Sequence, residues 1–305
     1  MGFLMSLRSF AIRLLAILGI VALAIVAFIV MVRPWHVRWG ATDAEVAQGM
    51  AGDEVVGGRD FAFTRAITIN AKPDAIWPWI LQMGHRRAGF YAYDWFDNGG
   101  VRSSEVIIPE LQLVGIGDVI PISSLVKYRV WSIDPNQAIV WVSDDEPISG
   151  SWTWSLFPAG ESETRLITRM SGRVERDLPA VAFHWVIDAG DVVFMRKSML
   201  GIKQRVEGNI TDTSTEVALE GVLWLSSLLQ FLASLGLVLK HRRWLRPWLL
   251  ALAIAAAFMF TFYARPPLAL AISLQIGTLI ALIWVYRTGR WSRASMSAEP
   301  NSNES

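Results

Sequence analysis

Two parts of the chain are almost continuously apolar, and the part between them alternates between apolar and polar positions. Residues 14–32 contain neither a charge nor a proline, and a second apolar part reaches from 217 to 286 with short polar interruptions. About 20 apolar residues in a helix cross the hydrocarbon core of a bilayer. The pattern therefore predicts four transmembrane helices, at 14–32, 217–239, 247–264 and 268–286.

The first apolar run has the features of an uncleaved signal anchor. Arg8 and Arg13 precede it, and it ends in Val32-Arg33-Pro34. A signal peptide has a shorter apolar stretch followed by a small-residue cleavage site, and neither feature is present here. We therefore expect this helix to remain as transmembrane helix 1.

The positive charges next to the membrane predict the orientation. Basic residues concentrate in the N-terminal segment 1–13, in the loop 240–246 and in the tail 287–305, whose distal part is polar and is expected to be disordered. Short loops rich in Lys and Arg stay in the cytoplasm. With four spans these three segments share one side, so both termini are expected in the cytoplasm. The domain between the first and second spans would then lie outside the plasma or inner membrane.

The region between the apolar parts reads as a linker, 33–60, followed by an α+β domain, 61–208. Alternation predicts a first strand at 61–69, and Pro73 begins a short helix. A further helix is expected at 103–112, and a long helix at 180–207. Turn residues separate four more strands of an antiparallel meander, at 127–133, 138–143, 150–157 and 164–174.

The long helix carries one apolar stripe in its second half. Val192, Met195, Met199, Ile202 and Val206 recur at the 3-4 spacing that puts them on one helix face. We expect this face to pack against the sheet.

Composition excludes several kinds of function. The chain has no cysteine, and its four histidines do not have the spacing of metal ligands. Residues 33–215 carry 18 Lys and Arg against 23 Asp and Glu, without the basic stripe of a nucleic-acid-binding domain. No phosphate-binding loop or dinucleotide glycine pattern occurs. We therefore predict no metal, no cofactor and no nucleic-acid partner.

Four segments carry a resemblance to a known family. Thr64–Trp77 resembles the opening strand, Ala-x-Pro turn and helix of the SRPBCC superfamily, also called START-like, which includes polyketide cyclase-like and lipid-transport-like proteins. Arg38–Asp43, Gly89–Trp95 and Met195–Lys203 resemble a membrane-anchored bacterial subgroup. The resemblance covers roughly residues 38–208 and leaves out the three later spans.

The resemblance implies a helix-grip fold, in which a curved antiparallel sheet wraps around a long C-terminal helix. Between them such folds hold a cavity for an apolar or amphipathic molecule. The family includes lipid carriers, hormone receptors and polyketide cyclases, so the fold does not fix the function.

Arg65 is the first candidate for ligand binding. It shares a strand face with Phe63 and Ile67, and a charge on an apolar face needs a partner. That partner is either an anionic head group of a ligand or a carboxylate of the domain itself.

The aromatic loop 84–100 supplies further candidates. His85, Tyr93 and Asp94 are a possible acid–base set, whereas Tyr91 and Tyr93 could instead line a ligand pocket. On the meander, Trp131, Trp152 and Trp154 are expected either to form cavity walls or to belong to the ordinary core.

Three functions remain open on these grounds. The first is a membrane-tethered binding or carrier protein for a hydrophobic, lipid-like molecule. The second is a cyclase- or hydratase-like enzyme acting on such a ligand, which we favour less. The third is an interaction module that holds no ligand and binds a membrane protein partner through helices 2–4.

Overall fold

The computed structural model describes residues 2–143, 148–241 and 243–294. The helices are α1 (Gly2–Ala27), α2 (Arg33–His36), α3 (Asp43–Ala47), α4 (Pro73–Leu81), α5 (Asp94–Asp97), α6 (Leu178–Val206), α7 (Ser214–Lys240), α8 (Leu245–Met259) and α9 (Leu268–Ala294). The strands are β1 (Phe61–Ile69), β2 (Val119–Pro121), β3 (Lys127–Asp134), β4 (Ala138–Ser143), β5 (Ile148–Pro158) and β6 (Thr164–Val174). The chain divides into two compact units. The globular unit runs from Met31 to Val217, and the helical unit consists of the residues up to Val30 and from Ala218 onward.

The six strands form one antiparallel sheet in the order β1-β6-β5-β4-β3-β2. Strand β1 thus pairs with the last strand, while the others follow one another as a meander. A β-bulge interrupts the pairing of β3 with β4 between Val130 and Ser132. The five strands expected from alternation are all present, and the three-residue β2 is an addition.

Helix α6 lies against one face of this sheet and completes an α+β helix-grip fold. Its stripe residues Val192, Met195, Met199 and Ile202 are buried, and α6 contacts α4, β1 and β6. The buried core therefore lies between the sheet and α6, as the fold prediction requires.

The prediction of a helix at 103–112 was wrong, because only a 3₁₀ turn at Pro109–Leu111 forms there. Val106, Ile107 and Ile108 are β-branched, and the residue before a proline is driven away from helical geometry. The backbone N–H of Ile108 instead donates to the side-chain oxygen of Gln82 (2.9 Å). The Gln82 side chain, at the end of α4, thus holds this segment extended.

Residues 33–60 differ from a free linker, because they are bound to both α6 and the sheet. Arg33 and His36 contact Asp188 of α6 (2.9 and 2.7 Å). The backbone N–H groups of Thr64 and Ala66 donate to the carbonyls of Val37 and Trp39 (2.9 and 3.1 Å). Buried Arg169 of β6 donates to three carbonyls of the segment (2.9 to 3.0 Å). The segment is therefore part of the globular unit.

The helical unit contains a helix at each of the four predicted spans, and each is longer than the apolar run that predicted it. Helix α1 continues through a π-helical turn, Phe28–Val32, and α8 through another, Phe260–Ala264. Within the described residues, five helices are long and apolar enough to cross a membrane, because α6 also meets that criterion. Since α6 buries Asp188, Asp191 and Lys197 within the globular unit, we do not count it as a span.

Candidate ligand-binding interior

Three tryptophans form the centre of the space between the sheet and α6. Trp141 on β4 lies directly opposite Trp152 on β5, and Trp154 follows two residues later on the same strand face. Their ring centroids are 5.3 to 6.4 Å apart, and all three side chains are fully buried. The predicted residues Trp152 and Trp154 are thus brought together with Trp141 of the neighbouring strand β4.

The three indole N–H groups differ in how they are satisfied. Trp152 Nε1 donates to Thr168 Oγ1 (2.9 Å), and that hydroxyl donates to the carbonyl of Thr153 (2.9 Å). The Nε1 atoms of Trp141 and Trp154 are buried without a hydrogen-bond partner among the described residues. A buried donor left unpaired costs about 1–3 kcal/mol. The interior therefore presents two donors that an acceptor group would satisfy.

The α6 side of this interior is formed by adaptable side chains. Met195 and Met199 are both buried against the tryptophan cluster, and Phe90 stacks on Trp152 with ring centroids 6.0 Å apart. The side chains expected to line an open cavity are thus packed on one another. Methionine is unbranched and refits around new neighbours more easily than other apolar residues, so this side of the core can make room by repacking.

Arg65 points into the same side of the sheet but is held by the domain itself. Its Nη1 lies 2.5 Å from Asp191 Oδ2 on α6, and its Nε donates to the carbonyl of His36 (2.9 Å). Only 1 % of Arg65 is exposed. Of the two partners left open for this charge, the structure supplies the domain carboxylate. A ligand-binding role for Arg65 remains a prediction.

A second buried acidic residue extends this network. Asp188, one helical turn before Asp191, binds Arg33 Nε (2.9 Å) and lies 2.7 Å from His36 Nε2. His36 and Asp188 are both fully buried. Neither residue was a candidate from the sequence, although two aspartates three residues apart within an apolar helix were a visible signal.

Tyr91 fixes the aromatic loop against α4 and α6. Its hydroxyl donates to the carbonyl of Trp79 (2.9 Å) and accepts from Gln82 Nε2 (3.0 Å), while Arg205 lies 4.5 Å over its ring. Burial raises the pKa of the Tyr91 hydroxyl above its usual range. A β-carbon on Gly201 would lie 2.2 Å from the carbonyl oxygen of Tyr91. Tyr91 therefore serves as a packing contact in this state.

Two residues of the candidate acid–base set, His85 and Tyr93, contact Asp97, which the prediction did not single out. His85 Nδ1 lies 2.8 Å from the carbonyl of Asp97, and Asp97 Oδ2 accepts from the backbone N–H of Tyr93 (2.7 Å). The Asp94 carboxylate instead accepts from the backbone N–H of Ser103 (3.0 Å) and from the Ser103 hydroxyl (2.5 Å). His85 and Tyr93 thus each share a hydrogen bond with Asp97, whereas the Asp94 carboxylate is held by Ser103.

Asp97 is the carboxyl of this loop whose pKa the protein shifts. It is 7 % exposed, and its Oδ1 is buried without a hydrogen-bond partner among the described residues. Burial, with a smaller contribution from the nearby Asp94 charge, raises the pKa of Asp97 to about 7. A carboxyl with such a pKa can both accept and release a proton near neutral pH.

Trp131 lies apart from this interior, and so does a groove on the surface of the globular unit. Trp131 is 53 % exposed, whereas the three clustered tryptophans contact one another in the core. A groove of about 630 Å³ is lined by Met50, Pro73, Leu156 and Phe157 among others, and none of the three buried tryptophans lines it. The ligand role predicted for Trp131 has no support from its position.

Comparison with known proteins gives similarity to solved structures only. No family model and no curated protein matches the chain. A START superfamily protein from Mycobacterium smegmatis is 12% identical, with a TM-score of 0.32, over 50% of this chain and 99% of its own. The Zhui aromatase/cyclase from a Streptomyces species is 13% identical, with a TM-score of 0.32, over 49% and 99%. A protein from Thermus thermophilus is 13% identical, with a TM-score of 0.31, over 48% and 98%.

Proposed function

We propose that this protein is a membrane-tethered binding protein for an apolar or amphipathic small molecule held between the sheet and α6. The supporting observation is the pair of buried indole donors, Trp141 Nε1 and Trp154 Nε1, which have no acceptor among the described residues. Natural cores satisfy nearly all buried donors. Two such donors side by side in an apolar interior suit a ligand that carries an acceptor oxygen.

The chemistry of the interior favours a neutral ligand. The nearby charges, Arg65 and Asp191, are paired with each other. A carboxylate or phosphate in this space would have only indole donors to compensate its lost hydration, and burying an unpaired charge is costly. A carbonyl or ether oxygen on an apolar skeleton would satisfy the indoles and pack against the aromatic rings.

Membrane spans on both sides of the binding domain would keep it beside a reservoir of apolar molecules. We infer from the basic segments that it lies outside the cytoplasm. The chain has no cysteine, so single cysteines can be introduced and labelled with an impermeant thiol reagent on intact cells. Glu161→Cys should be labelled from outside and Arg243→Cys only after the membrane is opened. The reverse pattern would refute this orientation.

The binding function is tested by native mass spectrometry of the detergent-solubilised full chain, with extraction of co-purifying molecules. The variant Trp141→Phe/Trp154→Phe removes both unpaired donors and keeps aromatic side chains. It should lose about tenfold or more of the bound ligand, because each hydrogen bond contributes on the order of 1 kcal/mol.

The exposed Trp131 supplies the matched control. Trp131→Phe should retain the ligand at the wild-type level. Equal ligand content in the double variant and the wild type, or a wild-type protein that carries nothing, would contradict the proposal.

Acid–base catalysis on the bound molecule is the second candidate, because one oxygen of Asp97 is buried and has no partner among the described residues. Phe90 belongs to the same loop and stacks on Trp152, so the loop borders the tryptophan interior. If the ligand is a substrate, Asp97→Asn should co-purify with it unconverted while the wild type releases a changed product. Identical extracts from both proteins would leave binding as the function.

A further inference from the structure

Helix α7 carries a line of polar residues through the apolar helical unit. Glu220, Ser227 and Ser234 are spaced seven residues apart on α7, and Gln230 falls three after Ser227. His241 continues the seven-residue spacing directly after the helix ends at Lys240. Residues at this spacing share one helix face. Ser227, Gln230, Ser234 and His241 are all buried. The polar face of α7 is therefore turned inward, where it must be satisfied by the protein or by something that it binds.

Most polar groups near this face have a partner within the helical unit. Gln275 on α9 accepts from Ser227 Oγ (2.7 Å) and donates to Ser226 Oγ (2.6 Å). Ser234 Oγ donates to the carbonyl of Phe231 (2.7 Å). Hydrogen bonds of this kind between and within helices are the usual way to accommodate polar side chains in a membrane.

Gln230 is different. It is 4 % exposed, and both its Nε2 and its Oε1 are buried without a hydrogen-bond partner among the described residues. A primary amide has two donors and an acceptor oxygen. In a bilayer core no bulk water is present to satisfy them. A bound group that supplies both a donor and an acceptor would satisfy this amide.

The ionisable groups of the polar face lie at its ends and not beside Gln230. Glu220 is paired with Arg265 (2.7 Å), and His241 lies eleven positions further along the chain than Gln230. The group that meets the amide has no counter-charge on this face, so it should be neutral. A hydroxyl is the smallest neutral group that both donates and accepts.

We propose that Gln230 is the polar centre of a second binding site, within the helical unit, for the hydroxyl group of a membrane-soluble alcohol. An enclosed water would present the same hydroxyl chemistry to the amide, and the test must separate these two sources. The site is independent of the tryptophan interior, because it belongs to the other compact unit.

The test uses the full chain in lipid nanodiscs and a hexadecanol that carries a photoreactive diazirine. Crosslinking followed by peptide mass spectrometry should place the label on α7 and α9 near Gln230. Gln230→Leu should reduce that labelling about tenfold, the effect of one lost pair of hydrogen bonds. The control Ser273→Ala, at an exposed position of α9, should label like the wild type. A diazirine hydrocarbon without the hydroxyl should not distinguish these proteins.

Thermal unfolding identifies the source of the hydroxyl and shows whether the variant folds. Gln230→Leu should fold, because it replaces an unpaired amide by an apolar side chain of similar size. Hexadecanol should raise the Tm of the wild type and not that of Gln230→Leu. Equal labelling of wild type and Gln230→Leu, or no Tm increase with the alcohol, would overturn the proposal and leave only an enclosed water. Trp141→Phe/Trp154→Phe should label like the wild type. A failure of the proposed site between the sheet and α6 can therefore be distinguished from a failure of the Gln230 site.

Discussion

The buried pair of Arg65 and Asp191 allows the sharpest test of how the globular unit is held together. Arg65→Met removes the guanidinium but keeps an unbranched apolar chain. Asp191 then loses its partner at 2.5 Å, and the carbonyl of His36 loses the Nε donor at 2.9 Å. Leaving one partner of a buried ion pair uncompensated destabilises a protein by about 3–5 kcal/mol. That is a large share of the roughly 5–15 kcal/mol that stabilises an ordinary domain.

For a unit of this size, each kcal/mol corresponds to about 2–4 °C in Tm. We therefore expect Arg65→Met to lower the Tm of the full chain in detergent by roughly 6–20 °C, a range that combines these two estimates. The transition can be monitored by near-ultraviolet circular dichroism, because the buried tryptophans lose their fixed packing on unfolding.

The double variant Arg65→Met/Asp191→Leu separates pairing from packing. It removes both charges at once, so it should recover most of the loss, as buried ion pairs replaced by apolar groups commonly do. Arg102→Met breaks an exposed pair with Glu105 and should change stability by less than about 1 kcal/mol. If Arg65→Met is as stable as Arg102→Met, or if the double variant is less stable than Arg65→Met alone, the buried pair is not what holds β1 to α6.

Two further predictions follow from single positions. Because the pKa of Asp97 is raised to about 7, the folded state keeps a proton that the unfolded state releases above about pH 4. The free energy of unfolding should therefore fall as pH rises towards 7 and then level off, and Asp97→Asn should remove this decline in urea titrations; an unchanged pH profile would argue against it. Gly201→Ala should destabilise the protein by about 1–3 kcal/mol, because its β-carbon overlaps Tyr91. Gly190→Ala on the same helix meets nothing within 4 Å and should be neutral or stabilising, so equal effects would exclude the overlap as the cause.

Strict periodicity made most of the fold predictable. The alternation of β1 and the 3-4 stripe of α6 identified both faces of the core, because most side chains on those faces are buried by the partner element. Residues 33–60 gave no such signal. They are held by backbone carbonyls bound to Arg169, and carbonyls leave no mark in a sequence.

The candidate site was predictable only as far as single elements reach. The prediction of which strand face carries Arg65 was correct. Its partner Asp191, however, is 126 residues away, and no local sequence pattern pairs the two. No sequence pattern distinguishes the indole donors of Trp141 and Trp154, which lack acceptors among the described residues, from that of Trp152, which is paired. Asp97 was one acidic residue among several in its loop until burial set it apart.

The packing of residues 33–60 on the sheet has a consequence for proteolysis. Arg169 donates a hydrogen bond to the Gln48 carbonyl, and the backbone N–H of Thr64 donates to the Val37 carbonyl. Both halves of this segment are therefore attached to the sheet without covalent bonds. A protease that cuts between these two points would therefore nick the globular unit without detaching either side of the cut. A version of the domain that begins at Phe61 would bury the Arg169 side chain without its carbonyl partners, whereas one that begins near Met31 would retain them. We therefore expect limited proteolysis within 38–47 to leave both fragments of this segment bound to the globular unit.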